Sequence, residues 1–183
     1  MSWFLAISVI PSLNINELWV AFGSGRHLRY IPTHLIALSL GPEKSKSLPL
    51  FHAYTGCDTV SYFANRGKKT AWDVWKTYDS VTEAFQSVML HPDSMTEDAV
   101  SAIERYTGLL YNRTSNQTSL DAARMELFVK KGRGMDEIPP TKDAFHLHLR
   151  RSIFQGAFCW GRSLELQPDL PCPSEWGWCN LDG

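Results

Sequence analysis

Asp58 ends the run Leu48-Pro49-Leu50-Phe51-His52-Ala53-Tyr54-Thr55-Gly56-Cys57-Asp58, and a small basic turn, Asn65-Arg66-Gly67-Lys68-Lys69-Thr70-Ala71, follows shortly after. The two segments carry different chemistry. A carboxylate projected from a glycine corner can bind Mg²⁺ or Mn²⁺, hard cations that take oxygen ligands and keep several waters. A turn that opens a helix offers unpaired backbone N–H groups to an anion. Gly67 permits a positive φ there, and Arg66, Lys68, Lys69 and Thr70 add charge and a hydroxyl. Such a turn grips one phosphate without reading bases, so binding would be independent of sequence and sensitive to salt. The plainer alternatives stand beside these. Asp58 can cap a turn over residues 59–63, and the two lysines can be ordinary solvated side chains at a helix start.

The other reactive residues assemble less. The Gly-x4-Gly-Lys-Ser/Thr pattern of a P-loop is absent. His146 and His148 are two residues apart on an expected helix, so they face different sides and are not expected to share a metal. His52, six residues before Asp58, reads as a hydrogen-bonded structural histidine. The cluster Lys130-Lys131-Gly132-Arg133 either extends a basic surface or favours a helix C-terminus. No Ser/His/Asp or Cys/His arrangement is legible from spacing alone.

Bulk properties bound the function class. The chain has 183 residues, 44% hydrophobic and 20% charged, the balance of a globular protein with a core. Seven tryptophans imply large buried payloads. A net charge of -1 gives no global attraction to nucleic acid, so any such contact is a local patch. Cys57, Cys159, Cys172 and Cys179 form no Cys-x-x-Cys pair. They read as free thiols of a reducing compartment, nuclear or cytoplasmic. The apolar start of the chain lacks a basic flank and a cleavage signal, and no apolar run is long enough to span a membrane. On that reading Asn112-Arg113-Thr114 and Asn116-Gln117-Thr118 are chance matches to a glycosylation acceptor.

The expected architecture is α/β, strand-rich first and helical after. Residues 4–10 read as a short buried strand stopped by Pro11, and residues 17–22 and 27–31 as a hairpin around Gly23-Ser24-Gly25. A helix is expected over residues 33–40, closed by Gly41-Pro42, and helical patterning resumes at Lys44 and ends at Gly56. Further helices are expected over residues 68–75, 80–89 with a Ser80–Glu83 capping box, 96–110, 120–131 and 141–158. The Pro-, Trp- and Gly-rich residues 163–183 are expected to lack regular structure. The corresponding divisions are 1–90, a helical extension 91–162, and the tail.

The order of these features resembles the C-terminal half of the flap-endonuclease group of 5′ nucleases, which have PIN-like folds. The matching features are the strand and hairpin, the apolar helix ending in Gly56-Cys57-Asp58, and Arg66-Gly67-Lys68-Lys69-Thr70-Ala71 at the DNA-gripping turn of a helix–turn–helix. The resemblance covers roughly residues 4 to 90. It implies an incomplete PIN-like sheet of two to three strands, Asp58 as a catalytic metal ligand for Mg²⁺ or Mn²⁺, and contact of residues 66–70 with a DNA backbone. The chain is also similar, over nearly its whole length, to multi-copy, uncharacterised open reading frames of animal genomes. These share His-Ala-x-Thr-Gly-Cys-Asp-Thr, Gly-Lys-Lys-Thr-Ala-Trp, the helix at residues 121–132, Ile138-Pro139-Pro140-Thr141 and the Trp176-Gly177-Trp178 segment.

The departures from the nuclease pattern matter. In the nucleases an Asp-x-Asp pair precedes the strand that here begins near Phe4, with further acids upstream. Two-metal hydrolysis needs ions about 4 Å apart, held by several carboxylates. Asp73 and Asp79 fall on other elements and do not complete the set. Asn65-Arg66 stands where the family usually has Gly-Ile or Gly-Val. The expectation is therefore a truncated nuclease-type chain, with the sheet lacking its first strands and prone to self-association through its exposed edge. The alternatives are a non-catalytic nucleic-acid-binding module or a protein-interaction helical domain.

Overall fold

The structure, a computed structural model, describes residues 3–131 and 134–179, with only the backbone of Lys130 and Lys131. It is mixed α/β and mostly helical. Its elements, in chain order, are α1 (Trp3–Leu13), β1 (Trp19–Phe22), β2 (Arg29–Pro32), α2 (Thr33–Tyr54), α3 (Lys68–Trp75), α4 (Ser80–Leu90), α5 (Glu97–Tyr111), α6 (Leu120–Lys131) and α7 (Lys142–Ile153). They form two compact units, Met1–Pro49 and Leu50–Gly183.

In the first unit, β1 and β2 pair antiparallel with Trp19 opposite Pro32 and Phe22 opposite Arg29. A 3₁₀ turn, Gly25–His27, joins them, as the hairpin reading expected. The expected strand over residues 4–10 is instead part of α1. A short apolar run carries no period that separates strand from buried helix. With no third strand among the described residues to pair against, a helix satisfies the backbone locally. The sheet therefore has two strands. In α2, Gly41 takes φ 78 and ψ 166, a break where Gly41-Pro42 was expected to close a helix. Ser45 Oγ donates to Ala37 O across it at 3.3 Å.

The second unit is built around aromatic rings. Tyr54, Trp75, Phe85, Tyr106, Phe145 and Phe158 are fully buried. Trp75 meets Phe51 at 4.7 Å and Phe85 at 5.5 Å between ring centroids. Their polar atoms find partners, as buried Tyr and Trp require. Trp75 Nε1 donates to Thr82 Oγ1 at 2.8 Å, and Tyr106 Oη to Ala71 O at 2.8 Å. The Tyr54 hydroxyl bonds Thr107. α5 begins at a Thr96 cap that accepts from Ala99 N, and α7 at a Thr141 cap that accepts from Ala144 N. The expected capping box at Ser80 is not made: Asp79 is the N-cap of α4, helical itself and without a side-chain cap bond.

α7 runs on into a π-helical segment, Phe154–Trp160. The tail expected to be irregular carries a 3₁₀ turn, Pro173–Trp176. It docks through Trp176 on Phe158, centroids 4.9 Å apart, and through Arg151 Nε donating to Gly177 O at 2.8 Å. Aromatic burial thus orders a segment whose composition alone suggested none. Among the described residues, no helix is long and apolar enough to cross a membrane.

Candidate functional site

The corner between α2 and α3 holds the residues singled out by their chemistry. Helix α2 ends at Tyr54, and Gly56 follows with φ 98. A Cβ at Gly56 would lie 2.5 Å from Tyr62 Cβ, so the turn requires glycine on both conformational and steric grounds. Cys57 N then donates to Val60 O at 3.0 Å. Residues 59–63 form no helix, so Asp58 caps none there. Its side chain is exposed. Among the described residues, Asp58 shares no group of three His, Cys, Asp or Glu side chains able to hold a metal ion.

The basic turn is organised differently from its expected form. Gly67 has φ -78 and ψ 170, and a Cβ there would meet nothing within 4 Å. The positive φ lies two residues earlier, at Asn65 with φ 56, the residue type that tolerates it best after glycine. Asn65 Nδ2 donates to Asp136 Oδ2 at 3.2 Å. The Arg66 guanidinium lies 4.8 Å from the centre of the Tyr111 ring and donates through Nη1 to Asn65 O. Its Nε is buried without a hydrogen-bond partner among the described residues. Burial raises the Tyr111 hydroxyl to about 12, with Arg66 and Arg124 pulling the other way.

Lys68 turns inward. Its Nζ donates to His52 O at 3.0 Å, to Thr55 Oγ1 at 3.0 Å and to Gly56 O. All three ammonium donors are thereby used on the C-terminal end of α2, where the helix dipole favours a cation. Burial lowers the Lys68 pKa, opposed by Cys57. Burial, then the charge of Lys68, lowers His52 to about 4, with Asp58 acting the other way.

Lys69 is exposed and faces outward. Together with Lys76 and Arg113 it surrounds one carboxylate, Asp73, on the open side of α3. Lys76 Nζ is 2.7 Å and Arg113 Nη2 3.9 Å from the Asp73 oxygens. The hydrogen bond from Lys76 is the main cause that holds Asp73 below its ordinary value, and Arg113 and Lys69 add to it. Three cations thus act on this one carboxylate. The first-turn N–H groups of α3, beside half-buried Thr70, have no acceptor within the helix.

A further arrangement was not legible from spacing. His148 on α7 lies between Tyr54 O, 2.8 Å from Nε2, and Ser61 Oγ, 3.0 Å from Nδ1. The carbonyl only accepts, so Nε2 carries the proton and Ser61 donates to Nδ1. Burial lowers His148 to about 4, against the raising effect of the Tyr54 carbonyl. Thr59 Oγ1 likewise donates to Gln155 Oε1 at 2.8 Å. These contacts tie the corner loop to α7 and to the π-helical segment that continues it. His146, on the same helix, packs on Phe145 and takes no part. The basic cluster at residues 130–133 lies outside the side chains described.

No protein-family model, no curated protein and no solved structure matches this chain.

Proposed function

We propose that this chain is a nuclease-related module that binds the phosphodiester backbone of a nucleic acid without cleaving it. The exposed face of α3 would be the contact. The observation that carries this reading is the set Lys69, Lys76 and Arg113 around the single acid Asp73. Beside them the start of α3 presents backbone N–H groups, which suit a phosphate oxygen. Contacts of this kind position a protein on a backbone and carry no base sequence. Lys68 would act indirectly, by holding the end of α2 against the start of α3, and Arg66 by stacking on Tyr111.

The PIN-like ancestry rests on order: an apolar helix, a required Gly56 corner, Asp58, then a turn and α3. In that lineage Asp58 would be one ligand of Mg²⁺ or Mn²⁺. Phosphodiester hydrolysis by two metals needs several carboxylates around both ions, and among the described residues the exposed Asp58 belongs to no group of three such ligands. Binding is therefore the proposed activity, with DNA as the first ligand to test.

The experiment pairs fluorescence anisotropy with a cleavage assay on labelled single-stranded and branched DNA, in Mg²⁺ and in Mn²⁺. Binding that weakens with salt and in Lys69→Glu, without product, supports the reading. Cleavage that disappears in Asp58→Ala would show instead an active nuclease. No binding at low salt would remove nucleic acid as the partner.

A further inference from the structure

The edges of the β1–β2 hairpin are unequal. Thr33 N donates to Leu18 O at 3.0 Å, and the register places residue 18 opposite 33. Antiparallel pairing alternates bonded and non-bonded pairs. Leu18, Val20 and Phe22 therefore turn their main-chain groups toward β2, and Trp19 and Ala21 turn theirs outward. On β2 the outward residues are Tyr30 and Pro32, and Pro32 has no N–H. The β2 edge is thus blunted by proline and flanked by Arg29, both devices that discourage edge pairing. The β1 edge has no proline: Leu18-Trp19-Val20-Ala21-Phe22 contains no charge, no proline and no glycine, and Glu17 just before it accepts from Trp19 Nε1 at 2.7 Å. Trp19 and Phe22 are nearly half exposed, at 49% and 45%. Two four-residue strands alone make a marginal sheet.

We infer that β1 pairs antiparallel with β1 of a second copy of this chain, giving a four-stranded sheet in the order β2-β1-β1-β2. The occupant follows from symmetry and charge. A two-fold axis normal to the sheet keeps side chains on matching faces only if it passes through a residue position. Centred on Val20, it places Trp19 opposite Ala21 of the second copy and Ala21 opposite its Trp19. These are the two residues of β1 whose N–H and C=O groups point outward, so each pair exchanges two hydrogen bonds. Leu18 then meets Phe22, and Val20 meets Val20. The strand is self-complementary in hydrogen bonding and apolar character, and no like charges oppose one another.

The test is the mass of the full chain by light scattering after size exclusion, combined with cross-linking. Twice the 20.7 kDa chain mass is expected. Ala21→Pro removes an outward donor and leaves the β1–β2 ladder intact, so it should halve the mass. Tyr30→Pro, on the other edge, should not. Val20 would face its symmetry mate in a non-bonded pair, about 4.5 Å between Cα atoms, within disulfide reach. Val20→Cys should therefore give a covalent dimer under mild oxidation, beyond what the four native cysteines produce, and Tyr30→Cys should not. A wild-type monomer at about 100 µM, or a dimer that survives Ala21→Pro and fails to cross-link at Val20→Cys, overturns the inference.

Discussion

The Lys68 ammonium donates to the His52 carbonyl at 3.0 Å, so the first residue of α3 closes the last turn of α2. The same nitrogen also reaches Thr55 Oγ1 and Gly56 O. A lysine that the sequence places beside a ligand is used to hold two helices. Lys68→Met keeps the aliphatic stem and deletes the donors. We expect a loss of about 1–3 kcal/mol in urea unfolding, the range for unmaking charged hydrogen bonds in a half-buried setting. Lys69→Met should change stability by less than about 0.5 kcal/mol, as for an exposed side chain. Equal effects of the two would contradict the division of roles.

The two glycines of the corner should behave oppositely. Gly56 combines φ 98 with a Cβ clash against Tyr62. Gly56→Ala is expected to cost about 2–4 kcal/mol, or to prevent folding. Gly67 sits at an N-cap with extended φ/ψ and open space around it. Gly67→Ser supplies a capping hydroxyl and reduces unfolded-state freedom, so a gain of up to about 1 kcal/mol is expected. Thermal unfolding of the two variants decides.

Stability should fall as pH drops from 6.5 toward 4. Burial holds His148 at about 4, below its ordinary 6.5. The unfolded chain then takes up the proton first. The contribution is full above about pH 6.5 and lost progressively as pH falls toward 4. From pH 7 to pH 5 the loss amounts to about 2 kcal/mol. His52 shifts in the same direction and adds a smaller, solvent-screened share. His148→Gln can donate to Tyr54 O and accept from Ser61, so it should flatten this part of the profile. Urea unfolding at both pH values, for both proteins, measures the difference. An identical pH dependence would contradict the assignment.

The tail should also matter to the second unit. Trp176 is 9% exposed and packs edge-on against Phe158. Trp176→Ala is expected to cost about 2–4 kcal/mol. It should also expose residues 173–178 to proteolysis while the helices persist. Unchanged protection of the tail would contradict the docking.

What the sequence made legible follows from how local each signal is. Residues 68–75 and 120–131 carry apolar positions at helical spacing, and both helices fall on those bounds. The hairpin is announced by Gly23-Ser24-Gly25 between two apolar runs, and the α2 break by Gly41-Pro42. Residues 4–10 misled because a continuous apolar run has no period. Gly67 misled because glycine permits a positive φ without requiring one, and here Asn65 takes it. The pairing of Ser61 with His148 spans 87 residues. Only the tertiary fold joins them, as it alone decides that Lys68 points inward and Lys69 outward.

The nucleic-acid reading is tested most directly by the salt dependence of DNA binding, measured by anisotropy for the wild type and Lys69→Glu. A face of two or three cations predicts a log–log slope of about -2 to -3. Lys69→Glu should weaken binding uniformly across sequences and reduce the slope by about 1. A slope near zero, or one that Lys69→Glu leaves unchanged, would contradict a backbone contact at α3.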